Sequence, residues 1–271
     1  MRDALKIQTL KSKHQKSGMY NHLEAKLHDV FWETEGSAAE LPLLEKFLEN
    51  HSGTTLELGC GSGRLMLPLL KNGFLLEGLD NSEDMLELCA EKCIQYQPVL
   101  HHADMLDFST GTTYSAITLP AFTLQFTPPE KLPELLTNIH QHLHPGGGLY
   151  ITTFIPWAEI TGELEEGEWF PDQDTELHDG NIARCHTRFQ VERMSQRLTR
   201  DHRYEIVTSD HQLLESSEST HHLNWFWPNE LSRILNSAGF TVDRLISDFN
   251  STSSFDENSQ IVTFYCSREH D

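Results

Sequence analysis

The sequence predicts an α/β fold on a doubly wound, seven-stranded, mostly parallel sheet, with an antiparallel β insertion after the fifth strand. Three observations predict it. Short apolar runs alternate with helix-period runs, as successive βαβ units require. Runs such as "FLLEGL" and "SAITL" are apolar throughout, which suits strands buried on both faces. After Pro156 the pattern turns to polar–apolar alternation, the mark of half-exposed antiparallel strands.

Residues 1–50 read as a helical segment, in which "ELPLLEKFLENH" places apolar residues at helical spacing and closes near Gly53. "TTLELG" is a first short strand closed by glycine. "RLMLPLLKNG" is a helix ended by Gly73, and "FLLEGLD" is a second strand. In "SEDMLELCAEKC", Ser82 is placed to cap a helix, with Glu83 and Asp84 in the first turn, where the dipole favours acids. "PVLHHADM" and "YSAITLPAF" supply the third and fourth strands, "EKLPELLTNIHQHL" a helix, and "GGLYITTFI" the fifth strand. Within 157–225, "GELEEGEWFPDQDTELHDGN" is acidic and loop-like, and "ARCHTRFQVERMSQRLTRDHRYEIV" alternates. "LNWFWPNELSRILNSAGF" is a helix with Pro228 at its start and Gly239 at its end. "TVDRLISDF" and "QIVTFYCS" close the sheet. The chain therefore divides into a segment 1–50, a core of 51–156 with 226–271, and a β-rich insertion or lid, 157–225.

Composition bounds the function. The chain has 271 residues, enough for one full core with an elaboration, and is 38% hydrophobic. No apolar run is long enough to span a bilayer, and the basic start lacks the apolar stretch of a signal peptide. With 20 basic and 41 acidic residues the formal charge is −21, a surface that repels phosphate backbones. The expected partners include neither nucleic acid nor membrane, and the expected state is a monomer or homodimer. Five scattered cysteines without a CxxC pair point to a reducing, cytoplasmic location. No metal site is expected. His140, His142 and His144 are spaced by two, which does not gather three side chains on one helix face.

The chemistry lies in "LELGCGSGR", with three glycines in five residues after an apolar run. A glycine turn between strand and helix lets a ligand approach the backbone. A dinucleotide motif would need a third glycine at Arg64, and no GK[ST] follows for a phosphate loop. The motif is instead Glu57-x-Gly59-x-Gly61-x-Gly63. A carboxylate beside the turn repels pyrophosphate and suits a ligand carrying ammonium and sulfonium groups.

Here the sequence resembles the class I S-adenosylmethionine (SAM)-dependent methyltransferases, and "LELGCGSGR" looks like their first motif. The resemblance implies the Rossmann-like methyltransferase fold, SAM as cofactor and S-adenosylhomocysteine as product. It implies cofactor contacts from Glu57, Gly59, Cys60, Gly61, Gly63, Arg64 and Leu119. "LEGLDNSEDML" looks like the second-strand motif, which implies Asp80 on the ribose hydroxyls with Asn81 and Met85 beside it. "HHADMLDF" looks like the adenine motif, which implies Asp104 on the exocyclic amine and Met105 on the ring. Each residue also has a structural reading: a tight turn for the glycines, a helix-end acid for Asp80, core for Met85 and Met105.

The acceptor reads as a small molecule, methylated at nitrogen or else at oxygen or sulfur. "LPAFTLQF" lacks the [ND]PP[YFW] signature of nucleic-acid amino methyltransferases, and no Pro-Cys dipeptide occurs. "MYNHLEAKLHDVFWE" resembles the N-terminal segment of glycine and sugar N-methyltransferase relatives, with His28 where they carry a tyrosine before Asp29. Tyr20 and His28 are the candidate catalytic groups. Arg184, His186, Arg188 and Gln190 share one strand face, either a solvated face or a clamp for an acceptor carboxylate. Phe122, Trp157, Trp225 and Trp227 either enclose the reacting cation or belong to the core. Two alternatives stand beside this reading: a SAM-binding protein that does not methylate (a cyclase, lyase or regulatory partner), and a protein methyltransferase.

Overall fold

A computed structural model of the chain describes residues 7–9, 19–20, 22–34, 39–252 and 255–269. In chain order these form β1 (Ile7–Thr9), α1 (His22–Thr34), α2 (Leu41–Leu48), β2 (Thr54–Leu58), α3 (Met66–Lys71), β3 (Leu75–Asp80), α4 (Glu83–Lys92), β4 (Val99–His102) and β5 (Tyr114–Leu119). There follow α5 (Leu132–His142), β6 (Leu143–Phe154), α6 (Trp157–Thr161), β7 (Phe170–Glu176), β8 (Ile182–Glu192), β9 (Arg197–Val207), β10 (Leu213–Asn224), α7 (Pro228–Ser237), β11 (Phe240–Ser247) and β12 (Ile261–Arg268).

The central sheet runs β1-β4-β3-β2-β5-β6-β12-β11 and has eight strands, one more than expected. The extra strand is β1, which pairs parallel to β4 through Ile7 and Leu100. It lies in the segment read as helical, and three residues are too few to show a period. The pairs from β1 through β6 are parallel, and β12 runs antiparallel to both β6 and β11. A second correction concerns the acidic stretch read as a loop, which contains β7.

Helices cover both faces of the sheet, which is why its strands read as continuous apolar runs. One core layer sets α5 and α7 against Leu56, Leu58, Ile117 and Leu149. The other sets α2, α3 and α4 against Leu76, Leu100 and Tyr150. Gly78 in β3 lets α3 press close, since a Cβ there would lie 2.7 Å from Met66 Cε. Ser82 caps α4 as expected, its Oγ accepting from Met85 N.

β7 to β10 form a separate antiparallel sheet ordered β10-β9-β8-β7. It is anchored at two places. Leu23, Leu27 and Phe31 of α1 pack on Ala183, Cys185, Tyr204 and Ile206. Phe189, Leu198, Leu223 and Trp225 pack on Phe154 at the end of β6. Trp225 is 2% exposed and belongs to this core rather than to an acceptor pocket.

The order of strands reverses at β2, whose neighbours β3 and β5 carry the chain outward in opposite directions. In open α/β sheets ligands bind at such a switch point, beyond the carboxyl ends of the strands. Both cavities described next lie there.

Candidate functional site

The first cavity, about 210 Å³, opens beyond β2, β3 and β4. The three glycines after β2 all have left-handed backbone, φ +69°, +52° and +78° for Gly59, Gly61 and Gly63, which L side chains rarely adopt. Their surroundings give each a different task. A Cβ on Gly59 would lie 2.5 Å from Thr123 Cγ2, so this residue admits the chain after β5. A Cβ on Gly61 would meet only Met85 Cε at 3.7 Å, so the backbone there is open to a ligand. A Cβ on Gly63 would strike Cys89 Sγ at 2.7 Å, so Gly63 serves helix packing and does not line the cavity.

Three acids approach this space. Asp80 ends β3, and its carboxylate accepts Gly61 N at 2.8 Å and Ser82 N at 2.9 Å. Burial nevertheless raises its pKa from the usual carboxylate value. Asp104 follows β4 and accepts Leu106 N at 2.9 Å. Glu57 is 2% exposed, its Oε2 has no hydrogen-bond partner, and burial pushes its carboxyl up to about 8. Cys60, Arg64, Asn81, Met85 and Met105 line the same cavity. Leu119 does not: it is fully buried, and the next two residues, Pro120 and Ala121, are the ones that reach the wall.

A second cavity of about 640 Å³ lies beneath the β7–β10 sheet and shares Tyr20, His28, Arg64, Ala121 and Phe126 with the first. Phe122 lines it, as expected of an acceptor residue. Ala121 and Phe122 both have left-handed backbone, φ 50° and 66°. Glu40 holds this strained turn. Its carboxylate accepts Ala121 N at 3.1 Å, Tyr150 OH at 3.1 Å and the Thr152 hydroxyl.

Several expected acceptor residues lie elsewhere. Arg184 and Arg188 do share a strand face, but it is the outer one. Arg184 makes a bidentate pair with Asp174, and Arg188 bonds Asp201 at 2.9 Å and stacks over Trp169. The inner face of β8 carries Ala183, Cys185 and Thr187. Trp157 donates Nε1 to Ser259 O at 3.0 Å and packs on Trp227, away from both cavities.

The cavity's own polar groups come from places the sequence did not flag: Glu24, Glu40, Arg200, His202 and His221. Glu24 is buried on α1. It accepts Tyr20 N at 2.9 Å, Tyr204 OH at 3.2 Å and Ser219 Oγ at 3.1 Å. His221 Nε2 stands 2.7 Å from Glu24 Oε1, a hydrogen-bond distance, with its N–H direction off line. Despite burial, the His221, Tyr20 and Ser219 contacts hold the Glu24 carboxyl below its ordinary range. Arg200 pairs with Glu159. Burial lowers His202 to about 3, so it is neutral.

Tyr20 and His28 stand at the junction of the cavities, rings 5.6 Å apart. Burial raises the Tyr20 phenol far above its usual value, so it stays protonated. His28 Nδ1 lies 3.1 Å from Asp29, whose carboxylate also takes the Ser62 hydroxyl and Lys92.

One trio has ligand-type atoms within 4.8 Å of one another: Asp172, Cys185 and His202. The Thr187 hydroxyl already joins two of them, donating to Asp172 at 2.7 Å and lying 2.8 Å from His202 Nδ1. His140, His142 and His144 are dispersed onto Phe240, Asn138 and Thr113 respectively.

Residues 55–147 match a methyltransferase domain family. Over 230 residues the chain is 25% identical to a dTDP-3-amino-3,6-dideoxy-alpha-D-glucopyranose N,N-dimethyltransferase of Streptomyces fradiae, covering 81% of this chain and 84% of that protein. A SAM-dependent methyltransferase from Clostridium acetobutylicum superposes with a TM-score of 0.75 at 15% identity, over 90% of this chain and 97% of its own. A sugar N-methyltransferase from Streptoalloteichus sp superposes with a TM-score of 0.70 at 17% identity, over 96% of this chain and 100% of its own. These likenesses agree with the Rossmann-like methyltransferase fold.

Proposed function

We propose that this chain is a class I SAM-dependent methyltransferase that transfers methyl groups to the nitrogen of a small-molecule amine. The observation that carries the reading is the pair of cavities meeting at Tyr20, His28 and Phe126. One has the features a methyl donor needs, and the other is a covered space of small-molecule size.

The residues present fit the donor. The unpartnered, buried Glu57 oxygen suits a cationic neighbour, and the open face of Gly61 leaves room for one. Asp80 presents carboxylate lone pairs beside Asn81 for a diol, and Asp104 with Met105 suits an amino-substituted ring. When bound, SAM supplies a methyl group already activated by a positive sulfur. The chain's contribution is alignment and exclusion of water, effects that can lower a barrier by about 7–11 kcal/mol. Tyr20, Phe126 and His28 line both cavities, as do Arg64 and Ala121. In this reading α1 and the β7–β10 sheet (within the segment 157–225) form a cover, and 51–156 with 226–271 form the catalytic core.

The test is labelled SAM offered in parallel with amino sugars, amino acids, oligonucleotides and peptides. Label is expected in a small amine, with amino sugars first on the strength of the Streptomyces fradiae relative. Label confined to oligonucleotides or peptides, or SAM consumed without any methylated product, would overturn the reading.

A further inference from the structure

We propose that His221 accepts the proton shed by the acceptor nitrogen and that Glu24 fixes His221 in the tautomer this requires; the inference rests on the N-methylation reading above. The location comes first. The His221 ring lies 4.9 Å from the Tyr20 ring and 5.7 Å from Phe126, two residues that line both cavities. It therefore stands where donor and acceptor spaces meet.

The partner comes second. Glu24 is 3% exposed, and burying a carboxylate is costly unless donors surround it. It has three besides His221, from Tyr20, Tyr204 and Ser219. They fix the carboxylate and leave Oε1 against His221 Nε2 at 2.7 Å. With Nε2 only 2.7 Å from the Glu24 carboxylate, the single proton of a neutral ring belongs on Nε2, which leaves the lone pair on Nδ1. That nitrogen has no partner among the described residues, and the side chain lines the cavity. The off-line N–H direction is common in ligand-free catalytic pairs, which tighten on substrate binding.

The neighbouring titratable groups have contacts of their own. The Tyr20 phenol is held protonated. His28 Nδ1 faces Asp29, and Glu40 is taken by Ala121, Tyr150 and Thr152. His202 Nδ1 lies 2.8 Å from the Thr187 hydroxyl, and burial lowers the ring to about 3, which makes it a poor proton acceptor.

The step balances as follows. The acceptor nitrogen forms its bond to the methyl carbon with its own lone pair, and the carbon–sulfur pair stays with sulfur. The surplus proton on nitrogen passes to His221 Nδ1. The resulting imidazolium is stabilised by the Glu24 carboxylate and later loses its proton to water. Glu24 is a positioning residue and His221 the catalytic one.

The test has two arms. Ring-nitrogen NMR of the ligand-free protein is expected to show His221 as the Nε2–H tautomer, shifting toward the Nδ1–H form in Glu24→Gln. A dominant Nδ1–H form in the unaltered protein overturns the proposal, whether or not an acceptor has been found. In the second arm, His221→Asn should lower kcat by about 10²–10⁴-fold. S-adenosylhomocysteine affinity by calorimetry should not change. Glu24→Gln should lower kcat by less than His221→Asn does, with product affinity unchanged. A His221→Asn protein that folds, binds the product and retains the wild-type kcat overturns the proposal while leaving the methyl-transfer reading intact.

Discussion

Glu57 is a carboxyl that the folded chain keeps protonated well above the unfolded value of 4.5, up to about pH 8. Its stabilising effect is thus complete below about pH 4.5 and is lost as pH rises towards 8, because the folded state holds the extra proton. A cationic ligand beside it reverses the preference by favouring the charged form. SAM binding near pH 7 is therefore expected to release a fraction of a proton, and the sulfur-neutral product less. Calorimetry in buffers of different ionisation enthalpy reads this directly, and identical proton counts for the two ligands would remove Glu57 from the donor site. At Asp80, the carboxylate has two backbone bonds and further lone pairs. Loss of charged hydrogen bonds to a ligand costs about 1.5–3 kcal/mol, so Asp80→Ala should weaken product binding tenfold or more. Unchanged affinity would place the ribose elsewhere.

At the scale of elements, strand parity decides which arginines matter. Arg184→Ala and Arg188→Ala remove ion pairs on the outer face of β8, worth about 0–1 kcal/mol each, and should leave the acceptor KM unchanged. Arg200→Gln alters the cavity wall itself and should raise that KM. Steady-state kinetics with one confirmed acceptor separates the two faces, and equal effects would undo the assignment. The same contrast shows what the sequence could tell. Asp80 and Asp104 were legible because strand, turn and acid fall within a few residues of one another. The β8 alternation correctly grouped Arg184 with Arg188, yet periodicity says which residues share a face and not which face turns inward. Glu24 and His221 were invisible because they are 197 positions apart in number, on α1 and β10, and meet only through tertiary packing. Glu40 was hidden similarly, read as the start of a helix when its work is to hold Ala121. β1 escaped because three residues carry no period, and β7 because its exposed acids look like a loop.

For the whole molecule, the β7–β10 sheet touches the rest through α1 on one side and, on the other, through the end of β6, the turn at 123–127 and α6. If it is the cover, amide exchange across 170–224 should slow when product and acceptor bind together, and less with product alone. Exchange that no ligand combination alters would argue for a passive outgrowth. Among the described residues no helix is long and apolar enough to cross a membrane. The position of β12 has a different consequence. β12 is interior, lying between β6 and β11, although both precede it in sequence. During synthesis, β11 has nothing to pair with in the central sheet until β12 has emerged, and Phe264 of β12 is fully buried in the larger core. A ribosome stopped after residue 260 would release a chain holding every proposed donor contact and both members of the Glu24–His221 pair. Such a chain should still be degraded rapidly in pulse proteolysis, since its sheet ends on an open, apolar β6. The machinery for chemistry is translated before the strand that closes the sheet.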